Sequence, residues 1–260
     1  MKAEHVRRVL GLAAVITLLQ GCEGPKSSST SGPQGGPVPT SRMTLYLTVE
    51  SDDLTTSVVR ANLNDGDAMG ASYRLDGGDY FRACVNGVCR NMADNDSVFT
   101  PDYIARFAYQ PGVDFVVSFN RREAQSAPGS RVTMPAAFTI VTPADRQQVT
   151  AGETVTLSWM PTGAPARVYV GYEAECTFSS GPASSSVGRL GSDSNGDGSE
   201  LVRIDPIVSF ARSNVSSPVT GCRIDLIVSH ELQGHVDPAF DGGTATGIVT
   251  RAVRLNYIPR

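Results

Sequence analysis

The chain has 260 residues, 26 acidic and 22 basic side chains, a net charge of −4 and 40% hydrophobic residues. That is length enough for two ordinary domains and apolar content enough for a packed core. No basic block interrupts it, which excludes nucleic acid and anionic lipid headgroups as main partners, since both require clustered Lys or Arg.

The N-terminus has the three parts of an export signal. Lys2, Arg7 and Arg8 form a basic start against Glu4, Val9–Leu19 is apolar, and the small Gly21 precedes Cys22. A membrane core of ~30 Å needs about 20 helical residues, so this run is too short to span it. The closing Leu19-Gln20-Gly21-Cys22 resembles the lipobox of bacterial lipoproteins, in which the Cys is acylated and becomes the first residue of the mature protein. The resemblance covers the first 22 residues. It implies a signal peptide over 1–21, lipid attachment at Cys22 and an address in the cell envelope. Glu23 in place of Asp after the Cys implies the outer membrane rather than inner-membrane retention. Several acyl chains on one Cys anchor a protein without any spanning helix. Cleavage lowers the basic count from 22 to 19 and the acidic count from 26 to 25, a net of −6, and leaves Lys26 as the only lysine.

Residues 22–42 hold the lipidated Cys and a tether rich in Ser, Gly and Pro. As a flexible coil its 20 residues after Cys22 span an r.m.s. distance of ~25 Å, and they have too few apolar side chains to fold alone.

Period-two patterning then takes over across 43–125, the expected first β-sandwich domain. In Met43–Glu50, Leu45, Leu47 and Val49 alternate with Thr44, Tyr46 and Thr48, the pattern of a half-buried strand. Ser57–Leu63, Ala71–Leu75, Tyr80–Val85, Val88–Met92 and Asp114–Asn120 are further strands, separated by Asp-, Asn-, Gly- and Pro-rich turns. Tyr103–Tyr109 reads as a strand pairing with Asp114–Asn120 across Gln110-Pro111-Gly112, in preference to a short helix begun at Thr100-Pro101-Asp102. The polar stretch Gln125–Ser130 marks the end of this segment.

With Cys22 lipidated, four cysteines remain, an even number suited to an oxidising compartment. Cys84-Val85-Asn86-Gly87-Val88-Cys89 reads as a two-residue hairpin whose Asn86-Gly87 accepts the positive φ values of a type I′ turn. Val85 and Val88 are then the hydrogen-bonded pair. Cys84 and Cys89 fall at the non-hydrogen-bonded pair beyond it, where Cα atoms come within ~4.5 Å and a disulfide closes. Cys176 and Cys222 are left to pair with each other. Both bonds read as structural, because redox pairs use Cys-x-x-Cys at a helix start.

The second expected domain covers 134–260. It opens with Phe138-Thr139-Ile140-Val141-Thr142-Pro143 and then Gly152-Glu153-Thr154-Val155-Thr156-Leu157-Ser158-Trp159. This resembles the entry to immunoglobulin-like and fibronectin type III domains of bacterial surface proteins, which implies a β-sandwich with Trp159 in its core. Arg167–Glu173, Leu201–Ile204, Cys222–Ser229 and Gly247–Tyr257 supply more strands. The fold class expected from all this is all-β, two immunoglobulin-like sandwiches behind a signal peptide and linker.

Candidate chemistry is sparse. His230-Glu231-Leu232-Gln233-Gly234-His235 places its histidines at i and i+5, whereas the zinc-protease motif needs i and i+4. On a strand they lie on opposite faces, and a polar loop after the Cys222 strand is the expected setting. Asp193-Ser194-Asn195-Gly196-Asp197-Gly198 matches the first half of an EF-hand calcium loop, with Asp193, Asn195 and Asp197 as ligands. The match fails at position twelve, which is Ile204, and neither flank reads as helical. No Gly-x-Ser-x-Gly or phosphate loop occurs. The expected function is therefore a non-catalytic envelope lipoprotein that binds a protein or glycan or scaffolds a complex. A calcium-dependent adhesion or carbohydrate module and an envelope-polymer hydrolase are the alternatives.

Overall fold

A computed structural model describes residues 38–64, 72–95, 101–162, 167–193, 197–212 and 215–259, without the side chains of residues 192 and 193. Cys22, its signal segment, residues 23–37 of the tether, Ala71 and Asn195 lie outside the described residues.

The first half folds as the alternation demands. Its strands are β1 (Thr44–Ser51), β2 (Thr56–Asn64), β3 (Tyr80–Val85), β4 (Val88–Asn91), β5 (Ala93–Asp94), β6 (Tyr103–Ala108), β7 (Asp114–Asn120) and β8 (Ala127–Thr133). In β1, Leu45, Leu47 and Val49 are fully buried while Tyr46 is exposed. β1 and β2 pair antiparallel, with Leu45 opposite Leu63 and Val49 opposite Val59. β6 pairs with β2, and β5 with β6. The facing sheet runs β4-β3-β7-β8. Aromatic rings fill the space between: Phe81 stacks on Phe119 at 4.9 Å, and Phe107 meets Phe115 edge-on at 5.7 Å.

Three readings of this half change. β6 is a strand, but it does not pair with β7. It joins β2, while β7 joins β3 and β8, so Gln110-Pro111-Gly112 crosses between the sheets. Both strands carry large side chains on one face, and facing sheets bury both sets where a flat hairpin would not. Ser72 makes only an isolated bridge to Asn64, so no strand runs over 72–75. Finally, Gln125–Ser130 is not a boundary: β8 starts inside it at Ala127, and Val132 on β8 is fully buried.

The tether also ends earlier than its composition indicates. Residues 40–42 form a short 3-10 turn held to the body. The Arg121 guanidinium donates to the Val38 carbonyl at 2.6 Å, and Thr40 donates to the Gln125 carbonyl. The Arg121 side chain is fully buried and ion-paired to Asp79 at 2.8 Å.

The second half comprises β9 (Thr139–Thr142), β10 (Gln147–Thr150), β11 (Thr154–Met160), β12 (Arg167–Phe178), β13 (Ser184–Asp193), β14 (Ser199–Arg203), helix α1 (Ile204–Ala211), β15 (Val219–Gln233) and β16 (Gly242–Ile258). The sheet β14-β11-β9 faces the run β13-β12-β15-β16, and β10 lies parallel to the end of β16. Trp159 on β11 is 1% exposed in the core between them. The protein is all-β in architecture.

The helix is a departure from the expectation that no flank of the 193–198 loop is helical. Its signal was present: Ile204, Ile207, Val208 and Ala211 recur at i, i+3, i+4 and i+7 and are all buried, with Asp205 in the first turn.

The segments 43–125 and 134–260, read from sequence as separate domains, are joined edge to edge. β16 pairs with β15 from Thr246 to Tyr257. Its other edge takes β1 in parallel over Gly242–Val249 and β10 over Leu255–Ile258. One 17-residue strand thus serves both halves. The tip of the β15–β16 hairpin docks on the first half, where Phe240 stacks on Phe119 at 5.9 Å and Arg131 exchanges backbone hydrogen bonds with His235 at 2.8 Å.

Candidate functional site

The singled-out residues scatter. Cys84 is bonded to Cys89, and Cys176 to Cys222, each pair directly opposed in register with Cα atoms 4.1 and 4.0 Å apart. The first pair is partly exposed at the β3–β4 turn, and the second is buried. Of the calcium candidates, Asn195 and the Asp193 side chain lie outside the described residues. Asp197 uses Oδ1 to accept from the Ser199 N–H at 3.0 Å. Among the described residues no group of three His, Cys, Asp or Glu side chains is placed to hold a metal.

His230-Glu231 is not in a loop. β15 continues through it because β16 still offers a partner, with His230 opposite Val249 and Glu231 opposite Ile248. The alternation sends His230 inward, 2% exposed and stacked on Phe138 at 3.9 Å between ring centroids. Glu231 points to the outer face.

That outer face carries a depression of about 590 Å³ across β13, β12 and β15. Gly171 on β12 forms its floor, bare backbone between Tyr169 and Glu173. A bulge between Val170 and Gly171 sets the register with β13. Opposite Tyr172, Gly188 on β13 leaves room for the tyrosine ring, which covers it from the core side. Ile227 and Ser229 line the β15 side, the latter within 3.1 Å of the Thr250 hydroxyl.

The polar groups converge at one end. The Arg189 guanidinium lies 3.7 Å over the Tyr169 ring, an orientation that spends the ring's negative face on a cation. Burial pushes the Glu231 carboxyl above the usual carboxylate range, opposed by the nearby Arg189 and Arg167 guanidiniums. At the rim, Val187 is 70% exposed. The arrangement offers a bare-backbone floor flanked by Val187 and Ile227, with the Arg189 guanidinium and the Glu231 carboxyl at one end. Arg189, Tyr169 and Val187 carried no motif; only the pairing of β13 with β12 brings them together.

No protein-family model matches the chain, and no curated protein sequence does either. Among solved structures, a cytokine receptor complex is similar at 11% identity over 77% of this chain and 97% of that one, with a TM-score of 0.25. The fibronectin(III)-like modules of Clostridium thermocellum CbhA are similar at 9% identity over 82% of this chain and 94% of theirs, also at 0.25. Likeness at that level says nothing of what this chain binds.

Proposed function

We propose that the protein is a lipid-anchored envelope protein that works by binding, not catalysis, presenting its β-sheet body to a protein or glycan partner on the outer membrane. Two features support the reading. Leu19-Gln20-Gly21-Cys22 supplies an acylation site, and the Arg121 side chain, paired to Asp79, holds the Val38 carbonyl against the body. The observation that carries the binding role is the outer-face depression, where Glu231, Arg189 and Tyr169 converge beside the bare backbone of Gly171.

Two measurements test it. Cys22→Ser should move the protein from the membrane to the soluble fraction and abolish incorporation of labelled palmitate; retention in the membrane would refute the anchor. Crosslinking and pull-down from the native envelope with wild type and Glu231→Arg should yield a partner that the variant loses. Equal recovery by both would remove the depression from the binding role.

A further inference from the structure

The β3–β4 turn carries the one Asn-Gly pair among the described residues. Val85 and Val88 close it as an opposed pair, so Asn86 and Gly87 are its two central residues. Both are exposed, and both have positive φ, +47° and +78°. Among the described residues no hydrogen bond holds the Gly87 N–H, and a methyl group built on Gly87 would meet nothing within 4 Å. One contact steadies the turn from outside: the Asn86 carboxamide nitrogen donates to the Gln110 side-chain carbonyl on the crossing between β6 and β7. One opposed pair beyond the turn, the Cys84–Cys89 disulfide ties the two strands together.

Asparagine followed by glycine has a reaction open to it that needs no enzyme. The glycine backbone nitrogen attacks the side-chain carbonyl carbon, a five-membered succinimide closes, and ammonia leaves with the proton that the backbone nitrogen gives up. Water then opens the ring at either carbonyl. The products are aspartate and isoaspartate, in which the main chain runs through Cβ. Glycine favours the attack because it has no Cβ in the way and turns freely about its own φ.

We infer that Asn86 is a site of spontaneous deamidation in the folded protein, with the Gln110 side chain as the brake on it. The attack needs the carboxamide to swing over the Gly87 nitrogen, and the bond to Gln110 holds the leaving nitrogen elsewhere. Hydrolysis puts a carboxylate where an amide stood, so the donor to Gln110 is lost. Isoaspartate also adds a backbone atom to a turn of two residues, which breaks the Val85–Val88 closure. The disulfide confines that change to the tip, so β3 keeps its pairing with β7 and the edge strand β4 does not fray.

Incubating the mature protein in detergent at mildly alkaline pH, then mapping its proteolytic peptides, tests the inference. The peptide with residue 86 should gain the mass of an amide-to-acid exchange, and an isoaspartate methyltransferase should label it. Asn86→Gln should abolish both signals. Gln110→Ala should convert about fivefold faster, the factor that one ordinary hydrogen bond is worth. In the converted protein, amide hydrogen exchange should rise at Val85 and Val88 and stay unchanged across β7. With Cys84 and Cys89 both replaced by alanine, the same conversion should spread the loss of protection along β4. The inference is overturned if residue 86 keeps its amide in the folded protein while the urea-unfolded chain loses it at the same pH, because the turn then forbids the attack. Equal rates in wild type and Gln110→Ala would overturn the role given to Gln110.

Discussion

Leu45 and Gly243 face each other across the parallel pair of β1 and β16, so close that a methyl group on residue 243 would collide with the Leu45 carbonyl. Gly243 has φ +135°, a conformation side-chain-bearing residues rarely adopt. The approach of the two strands and the backbone of the second both require glycine. Gly243→Ala should therefore destabilise the protein by about 2 kcal/mol or more in urea unfolding. An unchanged midpoint would mean that β16 does not close the first half as described.

The same junction makes a larger claim. Without Phe240 and Gly242–Val249, β1 loses one of its two partners and Phe119 loses the ring stacked on it. Residues 38–134 expressed alone should lack a cooperative thermal transition, and adding a peptide covering 234–258 should restore one. A sharp two-state melt of the isolated segment would contradict the sharing of β16.

Arg121 and Asp79 form the most deeply buried ion pair among the described residues, at 0% and 7% side-chain exposure. Removing one partner strands a charge, so Asp79→Ala should cost about 3–5 kcal/mol. Arg121→Met should cost less than Asp79→Ala, because the stranded Asp79 carboxylate still accepts from the Arg122 N–H at 3.0 Å and the methionine keeps the packing over Phe119. Equilibrium denaturation of the two variants decides the order.

Two carboxyls should shift stability with pH in opposite directions. Glu231 has its pKa raised by burial, so the folded state holds its proton more readily than the unfolded chain. Its favourable contribution is full below the unfolded value near 4.5 and is lost as pH rises through the folded value. Glu231→Gln should gain on wild type as pH climbs from about 4 to 7. Asp53 has its pKa lowered, first by the Thr55 hydroxyl and then by the Thr55 and Thr56 N–H groups of the β1–β2 turn. Its contribution is present above the unfolded value near 3.8 and fades as pH falls through the folded one. Asp53→Ala should match wild type only at the acid end. Thermal melts across the range read both effects.

The two disulfides should differ in weight. In the chain-entropy model a loop of about 47 residues, as closed by Cys176–Cys222, is worth about 4 kcal/mol, and the six-residue loop of Cys84–Cys89 about 2 kcal/mol. Replacing both cysteines of each pair by alanine should reproduce that order, and intact mass with and without reductant should count two bonds.

Much was legible in the residues themselves. β1, β2, β3 and β7 announce themselves by alternation, because a strand with one wet face must repeat every two residues. The Asn86-Gly87 turn fixes which cysteines meet across β3 and β4, since a two-residue hairpin leaves one register. The candidate binding surface was not legible. Val187, Arg189, Tyr169 and Glu231 come from three strands, and β13 is a Ser- and Gly-rich stretch whose pattern resembles a loop.

Local chemistry thus settled which stretches are strands, where the chain turns and which thiols pair, because each of those depends on neighbours within a few residues. Which strand lies beside which was decided by the folded body alone. β16 adjoins β1 across nearly two hundred residues of chain, and no short-range pattern encodes a partner that far away. The inward turn of His230 and the outward turn of Glu231 follow from that long-range pairing, because burial of a side chain is a property of the packed sheets and not of its own segment.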